Sequence, residues 1–199
     1  MTSLHTICLF CGSAVGSSPV YREAGIDLAA ILLKRQITLI YGGANVGLMK
    51  VAADALLEAG GKVIGVMPKS LADREVAHDR LTEMHIVPGM QERKALMAEL
   101  SDGFITMPGG YGTFDEIFEM LSWNQLKIMR KPVGILNVNG YYDLILEQLD
   151  WAVKEGFLRP EHREMLLSDT NPARLIDRME AFVPVEAEKW IDRLKAGKI

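Results

Sequence analysis

An α/β fold, a doubly wound parallel sheet with helices on both faces within a single domain spanning residues 1–199, is what this sequence predicts. Three observations carry that prediction. Short apolar runs alternate along the chain with longer segments of helical periodicity, the order expected when each strand returns through a crossover helix. Three of the runs end in glycine-rich turns, at Gly12, at Gly42-Gly43 and at Gly109-Gly110. The composition is ordinary for a globular protein, at 49% apolar and 24% charged residues, with no repeat, low-complexity tract or linker.

Thr6-Ile-Cys-Leu-Phe-Cys11 reads as the first strand, ending in Gly12-Ser13-Ala-Val-Gly16. Cys8 and Cys11 lie three apart, which on a strand puts them on opposite faces, so they read as core thiols and not as a disulfide or metal pair. A helix from Pro19 to Lys34 follows, with proline at a favourable first-turn position. Ile37–Tyr41 is the second strand and Gly47–Ala59 the second helix. Gly12–Gly16 lacks the G-x-G-x-x-G spacing, and Tyr41 is followed by glycine where a ribose-binding acid would stand, so the pattern argues against NAD. Gly42 and Gly47 have Walker-type spacing with no G-K-[ST] behind them, which argues against ATPase chemistry. This second turn fits a ligand site and close helix–strand packing equally well.

Gly61–Met67 is the third strand, closed by Pro68. Residues 69–83, with Asp73, Arg74, Glu75, His78 and Asp79, read as a long polar loop of the kind that forms a lid or rim. Glu83–Val87 is another strand. The helix from Met90 to Leu100 carries Arg93 and Lys94 in its early turns, where cations oppose the helix dipole. Beside a phosphate or a carboxylate they gain a purpose. After the strand Phe104–Met107 and its helix come a strand at Lys131–Leu136, a polar loop at Asn137–Asp143 and a helix at Leu144–Glu155. The tail contains Pro172 and Pro184 and ends in an amphipathic helix at about 186–195.

The stretch from Phe104 to Gln125 says most about function. A buried strand breaks at Pro108-Gly-Gly-Tyr-Gly112, and Ile117, Phe118, Met120 and Leu121 then recur at helical spacing. Glycines leave no Cβ between backbone and ligand, and the free N–H groups of a helix's first turn form an anion site. Thr113-Phe-Asp-Glu116 also fits a capping box, which alone would account for Thr113 and Glu116. It would not account for three glycines in four residues, nor for Asp115, Glu116 and Glu119 crowding an anion site. A phosphate pocket with a carboxylate at its rim explains both.

Pro108-Gly-Gly-Tyr-Gly-Thr-Phe-Asp-Glu116 resembles the PGGxGTxxE signature of the LONELY GUY (LOG) phosphoribohydrolases, formerly called lysine decarboxylase-like. Arg93-Lys94 resembles the family's M-x-x-R-K, and Ser122-Trp123-Asn124-Gln125-Leu126 its T/S-W-x-Q-L. Gly42-Gly-Ala-Asn-Val-Gly47-Leu-Met-Lys50 resembles its YGGxxxGLMG turn, with Lys50 in place of the last glycine. Lys50 is either solvated or an added cation near the pocket. The resemblance runs from about residue 6 to about residue 160. It implies a Rossmann-like fold and hydrolysis of the N-glycosidic bond of a nucleoside 5′-monophosphate, an EC 3.2.2 type of reaction, with AMP or an N6-substituted adenine nucleotide of the cytokinin type as substrate.

The same resemblance assigns Arg93 and Glu116 as the catalytic pair. Glu116 would stabilise the ribosyl cation and orient water, while Arg93 either holds Glu116 ionised or contacts substrate. Gly110, Gly112 and Thr113 would bind the 5′-phosphate. Glu75, Lys94, Gly109, Tyr111, Phe114, Asp115, Ser122, Gly12, Ser13, Gly42 and Gly43 complete the implied substrate set. No cofactor and no metal is implied. A homodimer is, with Ile117, Met120 and Leu121 as the apolar side chains for a helix–helix contact.

The competing readings are a non-catalytic nucleotide or molybdenum-cofactor-type carrier and the older decarboxylase. A carrier needs the phosphate turn but not the carboxylate. A pyridoxal-phosphate enzyme needs a Schiff-base lysine and a pyridinium partner, and no lysine has a persuasive context. Net charge −4 gives no general attraction for nucleic acid. No apolar run suits a membrane, and the first residues lack a signal-peptide pattern, so a cytoplasmic location is expected.

Overall fold

The computed structural model describes residues 3–74 and 77–185. The described strands are β1 (Thr6–Phe10), β2 (Thr38–Tyr41), β3 (Val63–Pro68), β4 (Glu83–Val87), β5 (Gly103–Thr106), β6 (Val133–Leu136) and β7 (Leu166–Asp169). They form a seven-stranded sheet in the order β4-β3-β2-β1-β5-β6-β7, and each neighbouring pair is parallel. The described α-helices are α1 (Pro19–Lys34), α2 (Gly47–Glu58), α3 (Lys69–Ala72), α4 (Met90–Leu100), α5 (Tyr111–Gln125), α6 (Asp143–Lys154), α7 (Pro160–Arg163) and α8 (Pro172–Glu180).

Side-chain alternation on β1 sorts the core into two halves. Ile7, Leu9 and Cys11 join Leu28 and Leu32 of α1, Leu56 of α2 and Ile176 of α8 on one face. Cys8 and Phe10 join Met97 of α4 and Ile117 and Met120 of α5 on the other. The two thiols are therefore buried on opposite sides of the sheet, as their odd spacing requires. Each fully buried Leu or Ile contributes on the order of 1.5–3 kcal/mol relative to exposure. Strands buried on both faces need such near-continuous apolar runs.

The strand order reverses between β1 and β5, and their registers pair Leu9 with Ile105 and Phe10 with Thr106. Their carboxyl ends therefore lie level, and the Gly12 N–H donates to the Pro108 carbonyl at 3.0 Å, joining the two turns. This is the switch point at which an open α/β sheet forms its ligand crevice.

From Pro160 onward the fold adds α7, β7 and α8, beyond the elements expected from the apolar pattern. A start signal for α8 was present. Asn171 Oδ1 accepts the N–H groups of Ala173 and Arg174 with Pro172 in the first turn, and Leu175, Ile176 and Met179 are buried below. The helix expected at about 186–195 lies outside the described residues.

Candidate active site

The turn after β5 sets the geometry. Gly110, at φ −103° and ψ −151°, caps α5, and the helix begins at Tyr111 with no side-chain cap bond. Thr113 is therefore the third helical residue, and the capping box that the sequence allowed is not formed. The N–H groups of Tyr111, Gly112 and Thr113 fall in the first turn, where the helix offers them no acceptor. A Cβ built on Gly110 or on Gly112 would meet open space, so the backbone there is bare.

Glu116, not used as a cap, turns to α4. Its Oε1 lies 3.3 Å from Arg93 Nη1, with the two side chains 10% and 11% exposed. Arg93 Nε donates to the Val66 carbonyl of β3 at 3.2 Å, which fixes the guanidinium over the sheet. Burial raises the Glu116 carboxyl, Arg93 pulls it back, and the net pKa is about 7 against an ordinary 4.5. A carboxyl so placed exchanges its proton near neutrality, the property expected of a working acid or base.

Lys94 points along the same interface to Asp115 Oδ2 at 3.1 Å and Glu119 Oε2 at 2.9 Å. Burial works to lower this ammonium, but Glu119 and Asp115 outweigh it and hold its pKa above the ordinary lysine value. A Schiff-base lysine needs the opposite, a depressed pKa. Burial does lower Lys131, yet its ammonium is bonded to the Ala98 and Glu99 carbonyls at the C-terminal end of α4.

A cleft of about 320 Å³ opens beside the turn, between Gly12-Ser13-Ala14 and Pro108-Gly109-Gly110, with Tyr21 and Tyr141 on its wall. Arg93 and Glu116 do not line this cleft and sit where α4 meets α5. Tyr141 donates to the Gly109 carbonyl at 2.7 Å, and Tyr142 to the Met107 carbonyl at 2.9 Å. Neither support follows from the apolar periodicity of the chain. The signal was the adjacent tyrosines closing the polar loop after β6. A groove of about 340 Å³ at the opposite end of the strands, by Gln36, Gly60 and Lys62, offers no comparable carboxylate–guanidinium couple.

The second glycine turn resolves toward packing. The Leu48 N–H donates to the carbonyls of Gly12 (3.1 Å) and Ala14 (3.3 Å), so the start of α2 serves protein acceptors. Gly47, at φ +60°, has the backbone of Ser13 and Ala14 where a side chain would go. Lys50 pairs with Asp54 at 2.7 Å along α2 and does not extend to the turn after β5. Asp54 also holds His78 at 3.1 Å, and the His78 N–H donates to the Gly43 carbonyl at 2.9 Å, which pins the chain at His78 against this turn.

Of the remaining expected residues, Tyr111 is fully solvated, and Phe114 packs edge-on against Tyr142. Ser122 is exposed and bonds back to the Phe118 carbonyl, roughly 16 Å along α5 from its start. Glu75 lies outside the described residues. Trp123 is half-buried against the core. Ile117 and Met120 are 2% and 1% exposed, so their apolar area is spent on the monomer core and not on a second helix.

A doubly wound parallel sheet with a bare glycine turn at its switch point defines a Rossmann-like α/β protein. The chain belongs to the LONELY GUY family. A family model described as "Possible lysine decarboxylase" matches residues 49–179. A cytokinin riboside 5′-monophosphate phosphoribohydrolase of Arabidopsis thaliana is 45% identical over 179 residues, covering 90% of this chain and 78% of its own. A probable enzyme of the same name from Oryza sativa subsp. japonica is 44% identical over 190 residues, covering 96% and 88%. Among solved structures, the molybdenum cofactor binding protein of Rippkaea orientalis superposes with TM-score 0.67 at 22% identity, over 88% of this chain and 95% of that one. The Moco carrier protein of Chlamydomonas reinhardtii gives 0.65 at 19%, over 88% and 95%. These structures share the fold.

Proposed function

We propose that this protein hydrolyses the N-glycosidic bond of a purine riboside 5′-monophosphate, either AMP or its cytokinin-type N6-substituted form, releasing free base and ribose 5-phosphate. The observation that carries the reading is Glu116, buried and paired to Arg93 just past a bare anion-binding turn. In the reaction the bond from the ribosyl anomeric carbon to the base nitrogen breaks and its electron pair leaves with the base. Water supplies a hydroxyl to that carbon and a proton to the base. Ionised Glu116 faces the cationic ribosyl centre and orients the water, and Arg93 keeps Glu116 in place. The 5′-phosphate sits on N–H groups of the cap and first turn of α5, at Gly110, Gly112 and Thr113.

Identity of about 45% to phosphoribohydrolases over most of the chain supports this reading. The test is base release, followed by chromatography, from AMP, N6-isopentenyl-AMP and the matching unphosphorylated nucleosides. Two or three charge-assisted bonds to phosphate contribute about 1.5–3 kcal/mol each, so kcat/KM should fall by about 10²- to 10⁶-fold without the phosphate. Nucleotide binding without base release would make the protein a carrier and overturn the proposal. The protein is further proposed to work in the cytoplasm as a homodimer. An apolar groove by Phe118, Leu121, Leu149 and Leu158 supports the dimer, and a monomer by light scattering at micromolar concentration would refute it.

A further inference from the structure

We infer that Gly42 is a positioning residue for this reaction: the side chain it lacks leaves the seat that holds the Arg93 guanidinium beside Glu116. The inference deepens the proposed function and rests on it for the role of Arg93. A Cβ built on Gly42 would fall within contact of Arg93 Nη2 and lie 3.2 Å from Cζ and 3.6 Å from Nε. Its three nearest neighbours all belong to that one guanidinium. The φ of Gly42 lies outside the left-handed region, so alanine suits the backbone. Gly43 differs, with φ +75° and a Cβ position against Met84 and Gly65. Only at Gly42, of these two, is the side chain excluded by the arginine.

The guanidinium is planar, so its contacts move together. Nε is bonded to the Val66 carbonyl, Nη1 faces Glu116 at 3.3 Å, and Nη2 lies on Gly42. A methyl group under Nη2 lifts the fork and separates Nη1 from Glu116. The carboxylate then keeps its burial and loses the cation that offsets it. Glu116 faces Arg93 and Lys94 of α4, and Asp115 and Glu119 of its own helix. With Arg93 displaced, this group ionises at higher pH than in the wild type.

The experiment is a double-mutant cycle of Gly42→Ala with Arg93→Lys, scored by kcat and KM for N6-isopentenyl-AMP and by ¹³C NMR titration of the Glu116 carboxyl. Gly42→Ala alone should lower kcat by about tenfold or more with KM changed less than about threefold. It should also raise the titration midpoint of Glu116. In the Arg93→Lys background, where no fork stands over residue 42, the same change should cost less than about threefold. Equal losses in both backgrounds, or an unmoved Glu116 midpoint, would overturn the inference. If the wild type releases no base, the proposed reaction fails while the titration still decides the role of Gly42. Should Gly42→Ala not fold, the pair Gly42→Ala/Arg93→Ala decides. Recovery of the fold supports a clash confined to Arg93, and persistent misfolding refutes it.

Discussion

Arg93 and Lys94 are consecutive on α4, and each reaches a carboxylate of α5, yet the two contacts work in opposite ways. Lys94 has two carboxylates for one ammonium, at 3.1 and 2.9 Å, and its charge is reinforced. Arg93 has one carboxylate at 3.3 Å and shares its fork with a peptide carbonyl and a glycine. Burial outweighs the arginine, so Glu116 keeps a proton affinity near neutrality. Lys94 fastens α4 to α5; at Arg93 burial outweighs the single cation and leaves a carboxyl poised to act. The two sets also communicate, because Asp115 and Glu119 repel charge on Glu116 while Lys94 favours it.

The sharpest way to break this contrast is Glu116→Gln. No cap bond depends on Glu116, so the substitution removes a charge and little else from α5. Turnover should fall by about 100- to 1,000-fold, the scale of losing one preorganised electrostatic partner. Phosphate-dependent binding should survive. Near-normal turnover in a folded Glu116→Gln protein would make the couple structural and erase the distinction from Lys94.

The pH profile gives the next effect. If ionised Glu116 is the active form, kcat should climb about tenfold per pH unit below the midpoint and level off above about 7. A profile that falls above that value would assign the protonated carboxyl instead. The linkage to stability has a definite sign. Glu116 binds its proton more tightly folded than unfolded, so its contribution is complete below about pH 4.5 and is lost as pH rises through about 7. Denaturant titrations should show the wild type losing stability relative to Glu116→Gln across that window. Parallel pH dependences would mean that Glu116 is not held as the structure shows.

Much of this was legible in the sequence because it is local. Pro19–Lys34 is helical with the same bounds that its proline and periodicity gave. The Gly109–Thr113 turn follows β5 where the apolar run breaks. The helix start was not legible, because it depends on whether the chain leaves the extended region at Gly110 or at Thr113. The sequence permitted a cap at Thr113, and the backbone put it at Gly110. Contacts made by sheet order were equally hidden. Gly42 and Arg93 lie fifty-one residues apart. They meet because β2 lies beside β3, whose Val66 carbonyl anchors the arginine. The Asn171-Pro172 start of α8 was readable from local chemistry alone.

The smallest effect on turnover should come from Lys94→Met, which tests the other member of the comparison. Methionine keeps the length and apolar stem of the lysine and removes its charge. The ammonium is 9% exposed on a side-chain basis, and its loss leaves Glu119, itself 21% exposed, without its cation. Breaking a largely buried pair costs about 1–3 kcal/mol here, since Asp115 is 61% exposed and returns to water. That corresponds to a drop of about 3–10 °C in Tm for a chain of this size. Turnover at pH 8 should change by no more than about threefold, because Glu116 and Arg93 remain in contact. The ascending limb of the pH profile should nevertheless move upward, since Asp115 and Glu119 now raise Glu116 with no ammonium to offset them. A Lys94→Met protein with an unchanged Tm and abolished turnover would instead show that Lys94 meets the substrate, as the family resemblance implies.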